Sequence, residues 1–318
     1  MTEHEKEIGG YFGLEQFCGK ELYPNAIAVN SGRNALVYLL KARKIRKLYI
    51  PYYLCDSVYG VCEREGCPYE YYHIDEHFMP LFDKALDNDE FLYVVNYFGQ
   101  IGDAALLALQ RKHKNIICDN VQAFFHAPLE GIDTLYSCRK FFGVPDGGYV
   151  VTDCKWDAPL EPDCSKDRMK HVLGRFEGRA SDYYGEFRQN DDMFASLPLR
   201  AMSSLTQNIL RGVDYDAVRH IREENFKALH EHLSDKNGMT VTCPAGPYAY
   251  PFYCENGMEI KRELAKKKIY VATLWPEVID TDQTWEKSLA ENILPLPCDQ
   301  RYNLNDIKRV VDEISGLI

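Results

Sequence analysis

Between positions 30 and 153, short apolar runs alternate with stretches of helical spacing. Lys47–Pro51, Tyr69–Ile74, Phe91–Asn96, Asn115–Asp119, Thr134–Ser137 and Gly148–Thr152 are rich in β-branched and aromatic side chains and about five residues long. That length and content predict strands rather than helices. Between them, Ala35–Ala42, Asp56–Glu65 and Asp103–Lys112 carry helical patterns. Strand and helix in alternation imply an α/β fold with a mostly parallel sheet covered on both faces. In such sheets a ligand sits beyond the carboxyl ends of the strands, so polar residues directly after a strand draw attention first.

The pattern then changes. Residues 154–198 are richer in charge, Pro, Asp and Arg, show no clear period, and read as a surface excursion. Asp216–Leu233 carries a helical stripe of Val218, Ile221, Leu229 and Leu233, with Phe226 beside it. After it come expected strands at Thr240–Cys243, Tyr248–Tyr253 and Ile269–Leu274, and expected helices at Glu259–Lys268 and Leu304–Ile314. The organisation predicted is a large domain over residues 1–212, including an N-terminal segment, and a smaller α+β domain over 213–318.

Composition narrows the class. With 46% hydrophobic and 27% charged residues, the chain of 318 residues has the make-up of a globular protein with a real core, not of a disordered one. A net charge of −11 argues against a surface that coats nucleic acid or anionic lipid, while leaving room for an anion in a local pocket. No apolar stretch is long enough to span a bilayer, and the opening Met1–Glu7 is charged where a secretion signal would be apolar. Eleven cysteines without a CxxC pair suggest reduced thiols and a cytoplasmic protein. The spacing of Cys55, Cys62 and Cys67 fits no zinc ligand set, so no metal is expected.

Three segments could carry chemistry. Asn30-Ser31-Gly32-Arg33-Asn34 follows an apolar run and opens a helix, where free backbone N–H groups and a hydroxyl suit a phosphate; Ser31 could equally serve only as the helix cap. Asp119 ends the apolar Ile116-Ile117-Cys118, where a carboxylate needs a cationic partner or caps a following helix. Lys140 follows Ser137 and precedes a glycine turn, Gly143 to Gly148; it is a candidate imine-forming amine or a solvated loop lysine. Together the three meet the demands of pyridoxal 5'-phosphate: a cradle for its phosphate, a carboxylate to keep its ring nitrogen protonated, and a lysine for its aldehyde.

These residues resemble the DegT/StrS-type sugar-nucleotide aminotransferases, fold-type I pyridoxal phosphate enzymes. Ile8-Gly9-Gly10-Tyr11-Phe12 is similar to that family's glycine-aromatic opening, and Asn30 to Leu36 to its S-G-T-x-A-L phosphate turn, with Arg33 in the threonine's place. Ile50-Pro51-Tyr52-Tyr53 stands where the family sets an aromatic ring over the cofactor, and Val95-Asn96-Tyr97-Phe98-Gly99-Gln100 matches V-H-L-Y-G-Q. Asp119-Asn120-Val121-Gln122-Ala123 matches D-A-A-Q-A, and Ser137 with Lys140 through Gly148 matches the S…K…G-D/E-G-G block, two residues shorter between Ser and Lys. Ile293 to Pro297 resembles the small domain's L-S-L-P strand, and Pro198-Leu199-Arg200-Ala201-Met202 an N-x-R-M motif without its Asn.

The resemblance implies roles for these positions. Lys140 and Asp119 are the expected catalytic pair, and Ser31, Gly32, Arg33, Tyr53, Gln122 and Ser137 join them in holding the cofactor. Tyr11, Asn96 and Arg200 are expected to meet substrate or a neighbouring subunit of a homodimer. The activity implied is transfer of an amino group from an amino acid, glutamate in the family, to a keto-sugar nucleotide or related carbonyl compound. A dehydratase on the same cofactor and a non-catalytic sensor or scaffold are the rivals. Dehydratase relatives lack the lysine, and a sensor would take up no cofactor.

Overall fold

The computed structural model describes residues 8–318; the charged opening Met1–Glu7 lies outside the described residues. Strands β1 (Ile27–Val29), β2 (Lys47–Pro51), β3 (Tyr69–Ile74), β4 (Pro80–Leu81), β5 (Glu90–Val95), β6 (Ile116–Asp119), β7 (Asp133–Ser137) and β8 (Gly148–Val151) form one sheet. Its order is β1-β8-β7-β6-β5-β2-β3-β4. The five middle strands, β7 to β3 across the sheet, run parallel, and antiparallel strands finish both sides. Helices α1 (Gly32–Ala42), α2 (Asp56–Glu65) and α3 (Asp103–His113) lie between successive strands in the chain. The parallel centre is buried: all six residues of β5 are, as its near-continuous apolar run Phe91-Leu92-Tyr93-Val94-Val95 requires.

Chain direction across the sheet reverses at β2. From β2 the chain steps outward to β3, then returns past β2 to β5, and continues through β6 to β7. Such a reversal opens a crevice at the carboxyl ends of the strands on either side, here β2 and β5.

Beyond the sheet come α4 (Lys170–Glu177), α5 (Tyr184–Met193), α6 (Ser204–Arg211) and the long α7 (Tyr215–Leu233). Helix α7 packs with α8 (Gly257–Lys266) and α10 (Leu304–Ser315) around the two-stranded antiparallel ladder of β9 (Tyr250–Tyr253) and β10 (Ile293–Leu296). Phe226, Leu229, Leu233, Phe252, Leu264, Leu294 and Ile314 fill this second core. Helix α9 (Thr284–Asn292) instead turns Leu289 and Ala290 into the core of the main sheet.

Three expectations need correction. Residues 154–198 are not simply irregular, since α4 and α5 lie among them. Their apolar side chains Leu173, Phe176, Tyr184 and Phe187 stay exposed, so no buried stripe marks them in the sequence. Thr240–Cys243 joins no ladder, because the Thr242 backbone is bonded at both N–H and C=O to the side-chain amide of Gln100. Ile269–Leu274 likewise forms no strand: the Ile269 N–H caps the end of α8 on the Leu264 carbonyl.

Candidate active site

A cavity of about 400 Å³ opens at the carboxyl ends of the parallel strands. Ser31, Gly32, Arg33, Asp119, Ser137 and Lys140 all line it, although more than a hundred residues separate the first from the last. Three pieces of local structure bring them there.

The first is the turn into α1. Ser31 Oγ accepts the Asn34 N–H at 3.1 Å, so the serine does cap the helix. The cap leaves the amides at the helix start free for a ligand. A Cβ on Gly32 would stand 3.4 Å from Ser137 Cβ and 3.8 Å from Ser137 Oγ. Glycine here therefore keeps open a recess between the helix start and the hydroxyl at the end of β7.

The second piece is the Asp146-Gly147-Gly148 turn that closes against it. The Asp146 carboxylate is wholly buried and accepts from the Ser203 N–H at 2.9 Å, the Ser203 hydroxyl at 2.7 Å and the Thr206 hydroxyl. Gly148 pairs with Val29. A Cβ there would fall 2.7 Å from the Ser31 carbonyl carbon, an approach that no side chain permits.

The third piece is the turn bearing Lys140. Cys138 is buried, Phe141 and Phe142 sink into an aromatic cluster with Phe124, Tyr136 and Tyr149, and the lysine between them stays exposed at the cavity. From α7, the buried Arg222 donates to the Phe141 carbonyl at 3.3 Å, and Gln300 donates to the same oxygen at 2.7 Å. The Phe141–Phe142 peptide, one residue past Lys140, is thus gripped from the C-terminal part of the chain.

Asp119 ends β6 as the alternation of the strand and its neighbours predicts. Its Oδ2 accepts the Tyr93 hydroxyl at 2.7 Å and its Oδ1 the Val121 N–H at 2.9 Å. No helix starts after it, so the capping role falls away. Burial pushes its carboxyl above the usual range, against the pull of the Tyr93 hydroxyl, Lys140 and the Val121 amide. A carboxylate this desolvated gains most from a cationic hydrogen-bond donor brought into the cavity.

Other residues expected at the site stand elsewhere. Gln122 lies just behind the lining: its Oε1 accepts the Phe98 N–H at 3.0 Å, while its Nε2 is buried without an acceptor. Tyr53 is fully buried and packs edge-on against Trp275, ring centres 4.4 Å apart; Trp275 reaches the cavity and Tyr53 does not. Asn96 is buried with its amide engaged by Asn120 at 3.1 Å and its Oδ1 by the Ile101 N–H at 2.9 Å. Arg200 lies beside β1, where its carbonyl accepts the Asn30 N–H at 3.0 Å. Tyr11 is 98% exposed.

Among the lining residues that sequence reasoning did not single out are Tyr93, Arg139, Asp191 and Trp275. Tyr93 carried a signal, since it shares a face with Val95 on the strand beside Asp119. Asp191 carried none, being on a helix without a buried stripe.

A recess that one Cβ would narrow, a desolvated carboxylate, a partnerless amide donor and an accessible amine fit the phosphate, ring nitrogen, ring oxygen and aldehyde of pyridoxal phosphate. The fold is similar to that of aminotransferases of known structure, as comparison with solved structures shows. No protein-family model matches the sequence, and no curated protein matches it either. The DegT DnrJ EryC1 StrS aminotransferase from Brucella abortus is similar over 92% of this chain and 85% of its own, with a TM-score of 0.63 and 16% identity. DesV of S. venezuelae, solved with a ketimine intermediate, covers 92% and 84% at a TM-score of 0.65 and 19% identity. The sugar aminotransferase CalS13 from Micromonospora echinospora covers 92% and 87% at 0.63 and 15%. At such identities the likeness speaks for the fold.

Proposed function

We propose that this chain is a pyridoxal phosphate-dependent aminotransferase that moves an amino group from glutamate to a keto-sugar nucleotide. The observation that carries the reading is the sharing of one cavity by the desolvated carboxylate of Asp119 and the accessible amine of Lys140. The neighbours' sugar substrates and the DesV ketimine support the acceptor class and the cofactor.

When bound, pyridoxal phosphate supplies an aldehyde that condenses with amines and a ring that takes up electron density from the substrate's α carbon. The chain's own residues do the rest. Asp119, kept in place by Tyr93 and the Val121 amide, would accept a hydrogen bond from the protonated ring nitrogen. Gln122 Nε2, buried without an acceptor just behind the lining, would donate to the ring oxygen. Lys140 Nζ would supply the amine that holds the aldehyde and would move the proton between the donor's α carbon and the cofactor's aldehyde carbon. Trp275, Tyr248 and Phe187 give the cavity aromatic walls.

The test is spectroscopic. Full-length protein mixed with pyridoxal phosphate is expected to develop a visible absorption band, which L-glutamate bleaches with release of 2-oxoglutarate and a keto-sugar nucleotide restores. A protein that stays colourless overturns the reading.

The same reading includes a homodimer. It is supported by Ile8, Tyr11 and Phe12, each at least 97% exposed, since large apolar side chains in this state are typical of a surface awaiting a partner. Sedimentation at micromolar concentration is expected to give twice the chain mass of 36.7 kDa. A fully active species at the single-chain mass would remove the dimer.

A further inference from the structure

The charged residues lining the cavity are unevenly matched. Arg33 and Arg139 both turn to one carboxylate, Asp191 of α5, at 3.7 and 3.1 Å. Asp119, the other carboxylate of the lining, is committed to Tyr93 and the Val121 amide. Arg139 is the more enclosed of the two, its side chain 14% exposed and its guanidinium stacked 4.4 Å from the centre of the Phe194 ring. Arg168 approaches the same ring at 5.3 Å, adding a third cation to the neighbourhood, although its own carboxylate is Asp163. Two guanidiniums around one carboxylate leave a net positive charge in a desolvated wall. Such a charge is costly unless an anion answers it.

Position in the chain says where that anion lies. Arg33 directly follows Gly32 at the start of α1, and Arg139 lies between Ser137 and Lys140. Both cations therefore spring from the two segments that form the recess between the helix start and the Ser137 hydroxyl. Arg33 also takes the place of the threonine usual in the sequences this chain resembles. A guanidinium fork matches the oxygens of a phosphate in geometry as well as charge.

We propose that Arg33 and Arg139, drawn together on one oxygen of Asp191, form a two-arginine clamp on the cofactor's phosphate, supplied wholly by this chain. The clamp rests on the cofactor reading above, and it gives the cavity a polarity: a carboxylate for the ring nitrogen at the end of β6, and cations for the phosphate at the start of α1. Asp191 is a positioning residue in this arrangement, since it acts through the two guanidiniums. It also competes with the ligand for them.

The competition makes the test discriminating. Binding to the full chain freed of cofactor is measured by calorimetry for pyridoxal phosphate, for pyridoxal, which lacks the phosphate, and for inorganic phosphate alone. Arg33→Gln and Arg139→Gln are each expected to weaken pyridoxal phosphate about ten- to hundredfold, the scale of a lost charge-assisted bond, and to leave pyridoxal unchanged. Asp191→Asn is expected to tighten inorganic phosphate several-fold, a gain that damage to the fold could not produce. Equal losses for pyridoxal and its phosphate would overturn the clamp. So would unchanged cofactor binding with a raised donor KM, which would hand the arginines to the substrate. If the unmutated chain binds inorganic phosphate through both arginines yet takes up no pyridoxal phosphate, the anion clamp stands and the cofactor reading falls.

Discussion

Replacing Lys140 by alanine is expected to lower amino transfer by at least about 10³-fold and leave the fold unharmed, because in the proposed reaction the lost amine is both attachment point and proton carrier. The side chain is exposed at the cavity and has no packing role. Exposed substitutions of this kind usually change stability by less than about 0.5 kcal/mol. The buried Cys138, Phe141 and Phe142 that shape the turn remain in place. Two measurements check the outcome: steady-state transfer from glutamate, and the visible band on mixing with pyridoxal phosphate, which the variant should not develop. Retained turnover would force the role onto another amine. Lys155 and Lys166, the next lysines along the chain, are exposed and lie outside the cavity lining, so that result would undo the assignment of the site itself.

Asp119→Asn is expected to act in opposite directions on catalysis and on the stability of the cofactor-free chain. An amide cannot hold the ring nitrogen protonated, so transfer should fall by roughly 10²-fold or more, the scale of a lost electrostatic partner. Stability follows from the raised carboxyl. Burial lifts the Asp119 pKa above its unfolded value, so its contribution is fully present below the unfolded pKa and is lost as pH rises through the folded one. At neutral pH the folded chain therefore bears the cost of burying a carboxyl that would ionise more readily in the unfolded chain. The amide of the Asp119→Asn variant removes that penalty while its oxygen can still accept the Val121 N–H. Thermal melts of cofactor-free protein across pH 4–8 should show the variant at least as stable as the original at neutral pH, with the gap closing in acid. A variant that melts lower at pH 7 would show that the carboxylate stabilises the fold and has no need of a cationic ligand.

Much of the main sheet could be read from residues alone because its signals are local. Helix α2 falls on Asp56–Glu65 and strands β2 and β3 on Lys47–Pro51 and Tyr69–Ile74, where apolar period, length and flanking turn residues agree. The cavity-lining part of the site was legible for the same reason: Ser31, Asp119 and Lys140 each stand at or just past the end of a strand. What escaped was long-range. Thr240–Cys243 has strand composition, but its backbone finds Gln100, some 140 residues earlier, before it finds a strand. Whether a ladder forms depends on which neighbour arrives, and composition is silent on that. Tyr53 has the aromatic character expected of a residue over the cofactor, yet packing places Trp275, from a loop more than two hundred residues on, between it and the cavity. Arg139 and Asp191 lie 52 residues apart, and nothing in either segment announces the other.

Helix α5 brings Asp191 and Phe187 to the cavity, yet among its ten residues only Asn190 is buried. Frame and doorway are in different hands. The strands that hold Asp119 and Ser137 cannot change without disturbing a close-packed interior, whereas a helix resting on the outside admits substitution at small cost. Phe187, exposed at the edge of the cavity, can therefore be replaced while the chain keeps its way of folding, whereas Asp191 on the same helix is tied to the interior through Arg139.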